Sequence, residues 1–151
     1  MKAWRHRSED AGTISLHDCT LSGIRRDGER CILLFEEGFD VERENAENPT
    51  GRHRRTGPAA VLLEKCSGLR GELDPCCLRE ETFSRRHVPL TWDLLCEQSG
   101  LVLLDYSWDG RRVDVSGINT ACEYGYFALS LAYERATFCW DELLRNAWFQ
   151  D

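Results

Sequence analysis

Residues 15–41, SLHDCTLSGIRRDGERCILLFEEGFDV, hold two apolar runs on either side of Asp27-Gly28. An Asp-Gly pair supplies the positive backbone φ that a tight turn needs, so the stretch reads as a β-hairpin feeding the middle of a sheet. The second run, CILLF at 31–35, is continuously apolar, as suits a strand covered on both faces or one whose outer face meets another element. Alternation resumes at Phe39 and Val41, with another turn expected at Glu37-Gly38. His17, Asp18 and Cys19 interrupt the first run and read as a bulge or a bend between two strand segments.

Working outward, residues 1–12 are a polar arm whose one aromatic is Trp4. Residues 42–58, ERENAENPTGRHRRTGP, lack apolar periodicity and read as a long loop or mobile excursion, acidic in its first half and basic in its second. A strand is expected over 59–66, and 67–88 reads as loop with one short strand near 81–83. Thr91 as N-cap and Gly100 as stop frame a short helix over 92–97. Residues 101–106 and 112–118 flank Asp109-Gly110 and predict a second hairpin with Trp108 at its tip. The alternation over 126–138 predicts one long strand. In 140–149, WDELLRNAWF, residues Leu143, Leu144, Ala147 and Trp148 fall on one helical face, which predicts a closing helix packed on the sheet.

The length of 151 residues suits one domain, and 42% apolar with 30% charged residues excludes wholesale disorder. A formal net charge of −7 argues against nucleic acid as a partner and favours a basic protein. The N-terminus carries no apolar run of the signal-peptide kind, and no apolar segment of about 18 residues is present, so the expectation is a cytoplasmic protein with no membrane span. The 8 cysteines include no C-x-x-C pair; in a reducing compartment they read as free thiols used as small apolar residues. No cofactor and no metal is expected.

His17-Asp18 invites comparison with metal-dependent phosphohydrolases, yet the other histidines, His6, His53 and His87, are not followed by Asp and do not extend such a set. The local alternative is that Asp18 accepts backbone N–H bonds at a bend while His17 orients against it, and both are candidate contact residues. Cys19 would share a strand face with His17, but no helix N-terminus or fixed cation is legible to lower its pKa. Glu36, Glu37, Asp40, Glu42, Glu44 and Glu47 form an acidic run opposed only by Arg43. It reads as a solvated edge or, more sharply, as a landing surface for a basic partner. Of the 5 tryptophans, Trp108 stands where exposure is expected and, beside Asp109 and Arg111, reads as a contact anchor.

Trp4, then LHDCTLSGI at 16–24, the Asp-Gly turn and CILLFEEGF at 31–39 together resemble a group of small bacterial proteins that open with a His-Asp step followed by an apolar strand. Some of these look like immunity proteins that neutralise toxins delivered by neighbouring cells. The resemblance implies a β-rich cytosolic protein and carries over no catalytic residue.

These readings combine into a single, mainly β domain of roughly seven to nine strands, an antiparallel sandwich or curved sheet with two short helices; an α+β layered fold is the alternative. The function expected is non-enzymatic protein binding, of immunity type, through the acidic surface and the Trp108 tip. The alternative is a small-molecule binder or enzyme whose pocket lies near His17 and Asp18.

Overall fold

The computed structural model describes residues 2–74, 88–121 and 125–149. In chain order the strands are β1 (His6–Ser8), β2 (Ile14–Ser15), β3 (Thr20–Leu21), β4 (Gly23–Asp27), β5 (Arg30–Phe35), β6 (Asp40–Val41), β7 (Arg54–Thr56), β8 (Ala59–Glu64) and β9 (Ser67–Leu73). After β10 (Val88–Pro89) come helix α1 (Trp92–Cys96) and β11 (Leu101–Trp108), β12 (Arg112–Asn119), β13 (Gly125–Ala132), β14 (Arg135–Trp140) and β15 (Leu143–Asn146). They form three antiparallel sheets: β1-β14-β8-β5-β4, β10-β9-β13-β12-β11-β3, and a small one, β15-β7-β6-β2. The mainly β, antiparallel expectation holds, with more and shorter strands than the roughly seven to nine anticipated.

Both Asp-Gly corners close hairpins. Asp27 pairs with Arg30, and Gly28 alone takes positive φ, at 60°. At the second corner Trp108 pairs with Val113, and Asp109 Oδ1 accepts the backbone N–H groups of Arg111 and Arg112 at 3.1 and 2.6 Å. β5 is paired on both sides, between β8 and β4, and alternate side chains Cys31, Leu33 and Phe35 are buried. Leu33, Phe35 and Leu63 from the five-stranded sheet meet Leu103, Val113, Val115, Leu129 and Leu131 from the six-stranded one, which makes a two-layer apolar core. Helix α1 matches its expected bounds closely: the Thr91 hydroxyl accepts the N–H of Leu94, and Gly100 follows at φ 75°.

Four sequence readings are corrected. The run 126–138 is two strands, not one, because Tyr133 N–H bonds to Arg111 O at 2.8 Å in one layer while Glu134 N–H bonds to Glu64 O at 2.9 Å in the other. Alternation survives the crossing since both strands face the same core. The run 140–149 is not a helix: Leu143–Asn146 pairs with the edge of β7, and Ala147 N–H bonds to His53 O at 3.0 Å, so an available strand edge overrides the helical pattern. Only one of the two expected α-helices is therefore present among the described residues. The stretch 42–58 is not a mobile excursion, because buried Asn48 donates to the carbonyls of Val41, Glu42 and Arg52, and β7 lies within it. In 67–88 the first seven residues are β9; the short strand expected near 81–83 lies outside the described residues. Among the described residues no helix is long and apolar enough to cross a membrane.

Candidate functional site

The His17-Asp18 step is a turn. Cys19 N–H bonds to Leu16 O at 3.0 Å, and Asp18 takes φ 60°, a conformation Asp tolerates better than most residues. The turn docks on β11 where its register slips between Leu103 and Asp105: Asp18 N–H donates to Leu103 O, and His17 Nδ1 lies 2.8 Å from Leu104 O. A carbonyl only accepts, so Nδ1 carries the proton. His17 Nε2 is left 3.4 Å from Asp18 Oδ2, and the His17 ring leans on Trp148 at 5.8 Å between centroids.

Cys19 and Asp40 belong to the interior. Asp40 is fully buried and paired with Arg55 on the neighbouring strand, with Arg55 Nε 3.0 Å from Oδ1 and Nη2 donating to Oδ2 at 3.3 Å. Arg55 Nη1 also reaches Gly38 O at 3.0 Å and Cys19 Sγ at 3.5 Å. Burial pushes the Asp40 carboxyl above its ordinary value even though Arg55 opposes the shift. Burial likewise pushes the Cys19 thiol up to about 12, so it is not a nucleophile at neutral pH. Asp40 therefore leaves the acidic landing surface the sequence suggested. Glu36 and Glu37 remain on it, exposed in the turn after β5, and Glu42 is half-buried.

Trp108 is not an exposed tip. Its indole packs edge-to-face on Tyr133 at 5.7 Å and on Phe138 at 5.3 Å, and its Nε1 is buried with no hydrogen-bond partner among the described residues. Asp109, Gly110 and Arg111 face solvent at that corner. The reason is the crossing of the chain from one sheet to the other at Tyr133 and Glu134, which sets Tyr133 and Phe138 of the following strand against the ring.

Four large apolar side chains are exposed among the described residues: Ile118 (42%) and Tyr126 (37%), opposite each other on β12 and β13, and two on the C-terminal run. Trp148 is 63% exposed and Leu144 53%, both on the run 143–149 that pattern reasoning assigned to a buried helical face. Leu144 stands at the register slip of β15 and leans over Gly57, which also lies near Glu142. Gly57 in turn abuts Gly38, so the turn carrying Glu36 and Glu37 adjoins Leu144. Trp148 is braced by His17 and by Phe149, whose ring also meets His53 at 4.9 Å. Nothing in the residue types of 143–149 separates a helix from an edge strand; the missing signal is the free edge of β7.

A concavity of about 700 Å³ lies along the six-stranded sheet and is lined by Arg70, Asp105, Tyr106, Arg112, Asp114 and Tyr126 among others. It includes neither His17 nor Asp18. Among the described residues no three His, Cys, Asp or Glu side chains converge as a metal site would require. Comparison with protein-family models, curated proteins and solved structures finds no match to this chain.

Proposed function

We propose that this chain is a non-enzymatic protein-binding domain that takes a basic partner on the run 143–149 and the acidic turn beside it. The observation that carries the reading is the exposure of Trp148 and Leu144, 63% and 53%, on a strand edge that is otherwise well ordered by pairing. Leaving such side chains in water forgoes roughly 25 cal/mol per Å² of apolar surface, and tryptophan is among the most frequent interface anchors. Glu142 lies with Leu144 over Gly57 and Asp18 beside the His17 that braces Trp148, while exposed Arg145 stands between the two apolar side chains, opposite Arg55 of β7. The net charge of −7 attracts a basic partner beyond the patch. An immunity-type role against a basic toxin, in the cytoplasm, is the specific form that the sequence resemblance implies.

The test is capture from source lysate on the immobilised protein, at low and high salt, in parallel with Trp148→Ala and with Glu36→Lys/Glu37→Lys. The expected result is a basic protein held at low salt, released at high salt, absent from the Trp148→Ala matrix and depleted from the charge-reversed one. Equal capture by all three proteins contradicts the reading.

A further inference from the structure

Cys31 lies on β5 opposite Leu63 of β8 and is fully buried. β8 ends at Glu64; Lys65, at φ 54°, turns the chain so that Cys66 N–H bonds to Glu29 O at 2.7 Å. That bond sets Cys66 beside Glu29, two residues before Cys31 in the chain, at the same end of the β5–β8 pair. Both thiols belong to the same apolar core cluster, and Cys66 S–H points to the carbonyl of Leu63, the residue opposite Cys31, at 3.3 Å.

We propose that Cys31 and Cys66 are a redox pair that closes to a reversible disulfide when the folded protein meets a peroxide. Cys66 is the sulfur that reacts first. It retains 8% exposure against none for Cys31, and Glu29, Glu64 and Lys65 next to it line an open cleft of about 590 Å³. The hydrogen bond from Cys31 and the nearby Arg26 cation lower the Cys66 thiol from its ordinary value, while the same contact and burial raise that of Cys31.

In the first step the Cys66 thiolate attacks one oxygen of hydrogen peroxide; the O–O bond breaks, hydroxide leaves and is protonated to water, and Cys66 becomes a sulfenic acid. The Cys31 sulfur then attacks Cys66 Sγ, the S–OH bond breaks, and the departing hydroxide takes the Cys31 proton as a second water. Two thiols give up two electrons and two protons, and one peroxide is reduced to two waters. The new bond ties the end of β8, the central strand of its sheet, to the neighbouring β5.

The experiment is peroxide treatment of the full native chain, followed by alkylation and peptide mapping without reductant, alongside Cys66→Ser, Cys31→Ser and a urea-unfolded control. A linked peptide joining Cys31 to Cys66, reversed by dithiothreitol, absent from both variants and scrambled in urea, is the expected result. Exposed Cys96 supplies the competing outcome. Oxidation of Cys96 with Cys31 and Cys66 both still alkylatable overturns the proposal, as does Cys66 linked to any other cysteine or carried to a sulfinic acid. The wild-type map decides the matter even if a serine variant fails to fold.

Discussion

Arg55 and Asp40 sit side by side on adjacent strands, Nε 3.0 Å from Oδ1, with Asp40 wholly shut off from solvent and Arg55 13% exposed. The pair holds three segments at once, since the same guanidinium binds Gly38 O and Cys19 Sγ. Removing the cation strands a buried carboxylate. Arg55→Met is expected to cost about 3–5 kcal/mol at neutral pH, measured by urea unfolding, whereas Asp40→Asn, which keeps the shape without the charge, should cost less.

The pH dependence of that pair has a defined sign. The folded carboxyl of Asp40 is raised, so the native state binds its proton more readily than the unfolded chain does. Its contribution to stability is full below the ordinary carboxylate pKa and is lost as pH rises through the raised value. Compared with Asp40→Asn, the wild type should therefore gain stability as pH falls through the carboxylate range, seen as converging or crossing Tm curves. Parallel curves would show that Asp40 titrates normally.

The two tryptophans 108 and 148 should separate stability from binding. Trp108 is locked against Tyr133 and Phe138, so Trp108→Ala is expected to cost about 3 kcal/mol. Trp148→Ala should stay within about 0.5 kcal/mol of wild type, as surface changes do. Denaturant midpoints of the two variants, compared side by side, check this.

Two glycines with similar φ should respond very differently to alanine. Gly28, at φ 60°, has open space around an added Cβ, so Gly28→Ala should cost only about 1–2 kcal/mol for the left-handed backbone. Gly38, at φ 79°, would place a Cβ against the backbone oxygens of Thr56 and Gly57, so Gly38→Ala should lose that amount and about 1–3 kcal/mol more, as overpacking does. Conversely Lys65→Gly, at φ 54°, should be stabilising by about 1 kcal/mol, because its exposed pairing with Glu134 contributes little.

Alkylation rates should rank the described cysteines by burial. Cys19, pushed up to about 12, and Cys139, pushed up to about 11, are both desolvated and should resist iodoacetamide in the native state, while exposed Cys96 reacts first. Fast modification of Cys19 would mean the corner around Arg55 opens.

What was legible in the chain was local. Asp27-Gly28 and Asp109-Gly110 announce their hairpins, and Thr91 announces its helix, because turn and cap chemistry is decided within a few residues. The two-fold alternation over 126–138 shows strand but is blind to Tyr133 and Glu134 bonding to different sheets. The acidic run looked uniform, yet Asp40 is buried because Arg55, 15 residues away, happens to face it. Trp108 is covered by Tyr133 and Phe138, distant in the chain, and Trp148 is left exposed because the last strand pairs with the edge of β7, a choice no residue type in 143–149 encodes.

The most direct measurement is the solvent isotope shift of each indole in protein labelled with 5-fluorotryptophan, with Trp148→Phe assigning its resonance, before and after the captured partner is added. Trp148 should show a large shift between light and heavy water that collapses in the complex, while Trp108 and Trp140 show small shifts that do not change. A Trp148 resonance that is already shielded in the free protein, or that is untouched by the partner, would contradict the placement of the binding surface on the C-terminal run.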